Sequence, residues 1–503
     1  MDQWTGQGAP GWPQPPGVGQ TTPQEAVTMA PKSLDYNKGV PPKAVQSSSN
    51  RTFFTPENGG AFGASGTTTI RIPVNSNAYL NGGNSYLQFT VQNEGADAGS
   101  SLCPDVGCPW FRRVRIESAG ATIEDSGLGY NRLYSLMMLS QLSCGQTRQS
   151  QTLFGASNQY GRATEQTLCV CEPNVAAAVG PPAIVAGKGG GGILTGTSRT
   201  YAVPLIGGLL SQEKLIPLAL LNSGFTIVLE LADPTDVGVS TTDAGSGVGG
   251  ASFPVLYSIN SVRYCADLTS VTEEFTSMLR SEMATSGGHL TLHGQTWHSY
   301  VASLPAGTGG QVNVPARVRS LKTLISTFAQ IPLTAAIRQA DFQTCDFQRQ
   351  GVTQWNYRIG SQPYPETAVS VSDTNLSETY AELLKCFGTS LGSTDSENGM
   401  NANSYGKNVG RISVHPTPAA ETFATAQARS IVPTFAIGYD CDAFANASAI
   451  NAGVDTASRS LQITLEVERP GNALLAPACT VVSWACSDIV FYVGQDGAMH
   501  SIN

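Results

Sequence analysis

Apolar and polar residues alternate along several stretches of the chain, and this alternation predicts β-strands. Residues 67–74 and 85–91 carry an apolar side chain at every second position, as a strand with one buried face does. Residues 111–116 and 121–124 continue the same pattern. Helical periodicity is limited to a few short segments between such stretches. We therefore expect an all-β fold that contains a small number of short helices.

The first helical segment begins at Tyr130, where the alternation ends. Leu133, Tyr134 and Met137 follow at helical spacing. The strongest helix signal spans residues 270–283, where Ser270 and Glu273 match a capping box. Its predicted apolar face consists of Phe275, Met278, Leu279 and Met283.

Strand-like alternation resumes at His289, directly after Gly287 and Gly288. Because glycines commonly end a helix, the segment 270–287 is predicted to be a helical linker between two β domains.

Two patterns occur twice in the chain, in the same order. The run Val-Arg-Ile-Glu-Ser at 114–118 returns as Tyr-Arg-Ile-Gly-Ser at 357–361, 243 residues later. Each run precedes an acidic residue and a predicted helix, and the second helix starts at Leu376. Likewise, the strand around Ile227 that ends in Glu230 returns around Ile463, 236 residues later, and ends in Glu466. These repeats indicate a duplicated domain of about 220 residues.

The helix that starts at Leu376 is predicted to have one apolar face and a capped start. Asn375 and Glu378 are the candidate capping residues. The apolar face consists of Leu376, Tyr380, Leu383, Leu384 and Phe387.

Each half of the chain offers roughly eight short strands, which is the number in a jelly roll of two facing antiparallel sheets. We predict a double jelly roll: two tandem eight-stranded jelly rolls with short helices and long loops. The predicted domains are an N-terminal arm at 1–50, a first roll at 51–269, the helical linker at 270–287 and a second roll at 288–503. The arm holds eight Pro and six Gly, so we expect it to be flexible alone and to become ordered on contact with a partner.

Composition excludes several classes of protein. Only 13% of residues are charged while 41% are hydrophobic, which excludes a disordered chain and disfavours a coiled coil. A surface with few charges can be buried against neighbours, because charged residues are depleted at interface cores. The net charge is −9 and no run of Lys and Arg is present beyond Arg112-Arg113-Val114-Arg115, so we expect no direct nucleic-acid binding.

The 11 cysteines are an odd number, and the first residues lack a signal-peptide pattern. Both observations favour free thiols in a reducing compartment. No apolar run reaches the length of about 20 residues that a membrane span requires, so no transmembrane segment is expected.

Several short segments match catalytic or ligand-binding motifs only in part. Residues 388–392 match Gly-x-Ser-x-Gly, but a helix precedes them and a polar loop follows, which is not the strand–turn–helix that this nucleophile motif requires. Gly187-Lys188 is followed by Gly, so a phosphate-binding P-loop is absent. Glu124 and Asp125 are adjacent on a strand and point to opposite faces, which disfavours a catalytic carboxylate pair and favours turn or interface roles.

Two groups of residues contain side chains that could bind a metal ion. Cys169 with Cys171, and Cys103 with Cys108, lack a second ligand pair at zinc spacing. The histidines at 289, 293 and 298 have no neighbouring carboxylate in the sequence. We therefore predict no catalytic, cofactor-binding or metal-binding residues.

The order of these motifs resembles that of a known family. The motifs of the first half include Ile70-Arg71-Ile72-Pro73-Val74, a Tyr-rich helix, Val203-Pro204-Leu205-Ile206-Gly207 and Ile216-Pro217-Leu218. The chain resembles the double jelly-roll major capsid proteins of icosahedral double-stranded DNA viruses, in particular those of Polinton-like viruses and virophages. The segment 357–365 resembles their second roll, and the likeness extends over most of 52–495.

This resemblance implies a structural, non-enzymatic protein of the virion that is assembled inside the host cell. It implies a homotrimeric, pseudo-hexagonal capsomer that tiles an icosahedral shell, with the arm on the inner side. The implied partners are further copies of the chain in the trimer and in neighbouring capsomers, together with minor capsid and penton proteins.

The sequence leaves two alternative functions. A secreted β-sandwich carbohydrate-binding protein or glycoside hydrolase would require an export signal, aromatic platforms and a carboxylate pair, whereas the six Trp are dispersed. A tail-fibre or spike protein would favour repeats of short period, whereas the period found is about 240 residues.

Overall fold

The computed structural model describes residues 47–502, apart from gaps at 76, 96–99, 103–108, 142–152, 154–192, 195, 213, 241–255, 286–287, 308, 331–346, 373, 388–404, 406–433, 443–452, 459 and 472–475. The following elements and contacts belong to the described residues.

The first half of the chain contributes twelve strands. They are β1 (Ser47–Phe54), β2 (Ala61–Gly63), β3 (Thr67–Ile72), β4 (Ala78–Asn93), β5 (Ser100–Leu102), β6 (Phe111–Ser118), β7 (Ala121–Asp125), β8 (Ile193–Leu194), β9 (Ser198–Val203), β10 (Phe225–Leu231), β11 (Gly238–Ser240) and β12 (Tyr257–Val271). Helix α1 (Tyr130–Gln141) follows β7, a 3₁₀ turn lies at Leu218–Leu220, and the short α2 spans Pro234–Val237. The main sheets run β1-β12-β4-β9 and β3-β10-β6-β7; β2 pairs with β12, and β11-β5-β8 form a small third sheet.

Helix α3 (Glu273–Thr285) separates these strands from nine more. They are β13 (His289–Leu304), β14 (Gly310–Val314), β15 (Leu321–Gln330), β16 (Gln354–Ile359), β17 (Gln362–Ser370), β18 (Ile437–Asp440), β19 (Ile463–Glu468), β20 (Cys479–Gly494) and β21 (Met499–Ile502). Helix α4 (Ser377–Cys386) follows β17. The two sheets run β13-β20-β15-β18 and β14-β19-β16-β17, and β21 pairs with β20.

The two halves share one strand order, which confirms the predicted double jelly roll. Ile116 of β6 lies opposite Ile227 of β10, and Ile359 of β16 lies opposite Ile463 of β19. These four residues are the pairs that the sequence repeat aligns, so the two repeated motifs are neighbouring strands in each roll.

A repeated ion pair accompanies this register. The Arg115 guanidinium lies 3.6 Å from the Glu230 carboxylate, and that of Arg358 lies 3.1 Å from the Glu466 carboxylate. Partly exposed pairs of this kind stabilise a fold by at most about 1 kcal/mol. The two ion pairs therefore contribute little to stability, but their repetition shows the duplication.

Alternating burial explains why these sequences form sandwiches. In β4, Leu87, Phe89 and Val91 are fully buried, whereas the residues between them lie on the outer face of the sheet. Because side chains point to opposite sides at successive strand positions, each strand buries one apolar row against the facing sheet. The strand segments predicted from alternation are confirmed.

Both predicted helix caps are replaced by other contacts. Ser270 lies within β12, where it pairs with Ser48 and Ala78, so the strand continues to Val271 and helix α3 begins at Glu273. The predicted capping box at Ser270 and Glu273 is therefore wrong.

Asn375 does not cap α4. Its side-chain amide donates to the backbone oxygen of Ser370, 3.3 Å away, and the residue at the N-cap position, Leu376, makes no side-chain capping bond. On α3, Met278 is 55% exposed and does not belong to the buried face. Strand pairing at Ser270 and a local hydrogen bond at Asn375 thus take the place of the predicted caps, and sequence spacing does not reveal either contact.

Candidate functional site: the junction of the two rolls

The loop between β7 and α1 packs directly against β13 of the second roll. The Ser299 backbone N–H donates to the Ser126 backbone oxygen at 3.2 Å, and the Ser299 hydroxyl donates to the Leu128 backbone oxygen. Gly127 between them has φ +68°, and a Cβ at this position would lie 2.6 Å from the Ser299 hydroxyl. The close contact of the two chain segments thus requires a glycine here.

Helix α1 belongs to the cores of both rolls. Tyr130 and Tyr134 pack in the core of the first roll, where the Tyr134 hydroxyl donates to the Pro204 backbone oxygen at 2.9 Å. Leu133 and Leu136, on another side of the helix, are 1% and 0% exposed within the core of the second roll. A helix of the first half therefore completes the core of the second half.

The second roll in turn completes the core of the first. Five of its residues lie within the apolar core of the first roll, and they are Leu292, Ile489, Phe491, Val493 and Met499. Polar contacts surround them: the Ser501 hydroxyl donates to the Ile123 backbone oxygen at 2.7 Å, and the Asn222 backbone N–H donates to the Gly497 backbone oxygen at 2.9 Å. Each roll therefore contributes side chains to the core of the other.

At the centre of the junction the two backbones touch. A Cβ on Gly294 of β13 would lie 2.4 Å from the Gly208 backbone oxygen, and a Cβ on Gly208 would lie 2.8 Å from a methyl carbon of Ile489. Real Cβ atoms do not approach other atoms this closely, so a residue larger than glycine at either position would require Ile489 or one of the two chain segments to move.

Glu124 is a buried carboxylate of this junction. It accepts hydrogen bonds from the backbone N–H groups of Gly208 (2.5 Å) and Leu209 (3.0 Å) and from the hydroxyl of Thr296 in β13 (2.9 Å). Burial raises the Glu124 pKa, although these three hydrogen bonds oppose the shift. Its neighbour Asp125 points away and binds Arg113 at 2.5 Å.

Asp125 and His298 are two further titratable residues near the junction, and their pKa values are shifted as well. Burial alone would raise the Asp125 pKa, but the hydrogen bonds from Arg113 and Gly127 outweigh it, so the Asp125 pKa is lowered. Burial lowers the pKa of His298, against the opposing effect of Asp125. Glu124 and Asp125 therefore have separate structural partners, as expected for adjacent residues on a strand.

Replacing Glu124 with Gln should flatten the pH dependence of stability. Because the folded-state pKa of Glu124 is raised, the folded protein binds more protons than the unfolded chain between the ordinary glutamate pKa and the raised value. Stability should therefore fall as the pH rises through that window, by at most about 1.4 kcal/mol per pH unit. Urea unfolding midpoints measured from pH 5 to 8 should show a smaller slope for Glu124→Gln, and equal slopes would contradict this role of Glu124.

A second buried acidic group lies within the second roll. The Lys322 ammonium lies 3.2 Å from the Asp488 carboxylate and 3.4 Å from that of Asp442, and the Ser320 hydroxyl donates to Asp488 at 2.7 Å. The lysine neutralises the carboxylates and their oxygens are hydrogen-bonded, so this group serves the packing of the roll. Sequence reasoning missed it because the three charged residues come from separate segments.

The remaining candidates from the sequence do not form a site. His289 and His293 are exposed on β13, and within the described ranges no three His, Cys, Asp or Glu residues are grouped as metal ligands. The cavity beside Glu124 has a volume of about 10 Å³, room for no more than one water molecule, whereas ordinary ligand pockets measure ~300–1,000 Å³. The Gly-x-Ser-x-Gly segment at 388–392, Gly187-Lys188 and the cysteine pairs at 103/108 and 169/171 lie outside the described residues.

Free thiols are confirmed for part of the chain. Five cysteines that the structure describes are free and buried, and they are Cys265, Cys386, Cys441, Cys479 and Cys486. None of the helices in the described segments has both the length and the apolar character needed to cross a membrane.

Comparison with known proteins gives matches in structure alone. No protein-family model and no curated protein sequence matches the chain. A chain of the PBCV-1 virus capsid superposes with a TM-score of 0.52 at 11% identity, over 92% of this chain and 98% of that one. A chain of the Sputnik virophage gives 0.52 at 9% identity, over 94% and 92%. The mavirus major capsid protein gives 0.50 at 11% identity, over 97% and 96%.

Proposed function

We propose that this chain is the structural major capsid protein of an icosahedral double-stranded DNA virus and that it acts by self-assembly. The observation that carries the proposal is the junction: two rolls of one topology share core residues and form a single two-roll block. The similarity in fold to capsid chains over nearly the whole length supports it.

Three such blocks around a threefold axis would place six similar rolls in a ring, which gives a trimer the outline of a hexagon. Hexagonal units tile a closed shell, and closed symmetry repeats the same contacts without any chemical step. The low charge content of 13% suits the apolar, charge-poor interfaces of permanent assemblies. We therefore propose the trimeric, pseudo-hexagonal capsomer as the assembled unit.

The proposed location is the virion capsid, and the proposed place of assembly is the host cell. The proposed partners are further copies of the chain, neighbouring capsomers, and minor capsid and penton proteins. We propose no catalytic role, because the buried carboxylates Glu124 and Asp488 and the half-buried Asp442 have structural partners within the rolls.

Mass measurement in solution tests the proposal. Size-exclusion chromatography with light scattering should give three times the chain mass of 52.7 kDa, or larger particles. A stable monomer at every concentration would contradict self-assembly. A monomer that also cleaves a glycan would favour the hydrolase alternative instead.

A further inference from the structure

The ion-paired group around Lys322 holds an amine and two carboxylates on neighbouring strands of the second roll. The pairing of β15 with β20 shifts by one residue between Leu321 and Thr323, so Lys322 is the extra residue of a β-bulge. Bulges redirect a side chain relative to its neighbours in the strand. The Lys322 ammonium lies 3.2 Å from Asp488 of β20 and 3.4 Å from Asp442, just beyond β18. The amine is thus held between groups from both neighbouring strands.

Backbone hydrogen bonds fix the two carboxylates relative to the lysine. The Asp488 backbone N–H donates to the Ser320 backbone oxygen at 3.2 Å, and the Cys441 backbone N–H donates to the Lys322 backbone oxygen at 2.6 Å. Asp442 is the next residue after Cys441. Well-oriented groups within one molecule react as if each were present at about 10⁵–10⁸ M. The arrangement therefore favours a reaction between amine and carboxyl group that would be negligible between free side chains.

Water has little access to this group. The side chains of Lys322 and Asp442 are each 11% exposed, and that of Asp488 is 6% exposed. The desolvation cost of an ion pair can exceed the attraction between its charges, whereas a neutral amide buries no charge. Exclusion of water also protects a reactive carboxyl derivative from hydrolysis. These surroundings therefore favour a covalent amide over the ion pair.

Asp488 is the carboxyl group placed to react with the amine. Its Oδ1 lies 3.2 Å from the Lys322 nitrogen, and its Oδ2 accepts a hydrogen bond from the Ser320 hydroxyl at 2.7 Å. A donor at Oδ2 stabilises the negative charge that develops there when an amine attacks the carboxyl carbon. Ser320 therefore prepares Asp488 for attack.

Asp442 is the group placed to carry protons. Burial opposes a charge on Lys322, but Asp488 and Asp442 outweigh this effect and raise the Lys322 pKa, so the amine starts as an ammonium. An amine attacks only after it has lost a proton. One Asp442 oxygen lies 3.4 Å from the Lys322 nitrogen, within reach to accept that proton and to return it to the oxygen that leaves.

We infer that Lys322 and Asp488 form an amide cross-link between β15 and β20, with Asp442 as the proton carrier. A bond forms between the Lys322 nitrogen and the Asp488 carboxyl carbon, and one carbon–oxygen bond of Asp488 breaks. Two of the ammonium protons and that oxygen leave as water, and the remaining hydrogen stays on the amide nitrogen. The charges cancel and no atom changes its oxidation state, so the step requires no oxidant or reductant. The chain reacts once with itself, and the inference does not depend on the proposed function.

Mass spectrometry of the unfolded full chain tests the inference. The chain should be lighter by one water molecule than its sequence requires, and proteolysis should release one pair of peptides joined through Lys322 and Asp488. Lys322→Arg removes the nucleophile and should have its full sequence mass. A parent chain that keeps its full sequence mass after prolonged storage would overturn the inference, whether or not any variant folds.

Two substitutions test the roles of the carboxyl groups. Asp488→Asn should lose ammonia instead of water, because the same cross-link then forms from a side-chain amide. Asp442→Asn should slow the mass loss by about 100-fold or more, because no carboxylate is left to carry the proton. Equal rates in Asp442→Asn and the parent, or a cross-link that runs to Asp442, would overturn the inference as stated.

Lys385 provides the matched control. Its ammonium lies 2.6 Å from the Glu382 carboxylate on α4, closer than Lys322 lies to Asp488, but its side chain is 45% exposed. No second carboxylate lies within 4.0 Å of it among the described residues. Lys385→Arg should lose one water molecule as the parent does, and no cross-link between Lys385 and Glu382 should form. Equal linkage of this exposed pair would show that closeness alone drives the reaction and would overturn the roles given to burial and to Asp442.

Discussion

Residues 288–503 produced as a separate fragment should not fold into a stable roll. The fragment lacks Leu133, Leu136 and Met137 of α1, which belong to the core of the second roll. Loss of one large apolar core side chain costs about 2–5 kcal/mol, whereas a whole domain is stable by about 5–15 kcal/mol. Circular dichroism and urea unfolding should therefore show no cooperative transition, or one displaced far below that of the full chain.

Co-expression with residues 1–287 is the control for this prediction. That fragment returns α1 to the second roll, and the second roll returns Phe491 and Val493 to the first. A soluble two-fragment complex is expected where each fragment alone aggregates. A fragment 288–503 that unfolds cooperatively near the midpoint of the full chain would show that the rolls are independent.

Substitution of Gly294 by Val should separate the rolls in the intact chain. The new side chain would begin 2.4 Å from the Gly208 backbone oxygen. Gly294 is held by the pairing of β13 with β20, and Gly208 is held by its hydrogen bond to Glu124. Forcing atoms into a packed contact of this kind costs about 3 kcal/mol. A lower thermal unfolding midpoint, together with faster proteolysis between the rolls, is the expected result.

Gly63→Val provides the comparison. Gly63 ends β2, and a Cβ there would meet no atom within 4 Å, so valine should leave the unfolding midpoint almost unchanged. Equal effects of Gly63→Val and Gly294→Val would mean that the loss of a flexible residue, rather than the contact with Gly208, determines stability.

The strands and their duplication were predictable because both depend on local pattern. Alternation at 67–74 and 85–91 reports burial of one strand face, and this is a property of neighbouring residues. The repeated motifs around Ile116 and Ile359 were recognised by spacing alone, and the structure places their partners Ile227 and Ile463 directly across the sheet in each roll.

The junction was not predictable in the same way. Helical spacing identified α1, but it does not distinguish Tyr134, which packs in the first core, from Leu133, which packs in the second. Glu124 was correctly separated from Asp125 by strand alternation, yet its partners Gly208 and Thr296 come from distant segments. Such contacts depend on how the two rolls meet, and no local pattern encodes that arrangement.

The predicted helix caps were wrong for a related reason. Ser270 and Asn375 have the side chains that helix starts favour, but Ser270 lies within β12, and the Asn375 amide donates to the backbone oxygen of Ser370 at the end of β17. Short polar side chains have several backbone groups within reach. The tertiary structure decides which of these backbone groups a side chain binds. Cap residues therefore predicted the helix starts less reliably than apolar periodicity predicted the strands.

Electron cryo-microscopy of the purified full chain would show how the rolls are arranged. We expect threefold particles in which six densities of roll size form a ring, each chain contributing two adjoining rolls that superpose on one another. Particles with only two such densities at every concentration, or a map in which the two halves of the chain have different folds, would contradict this expectation.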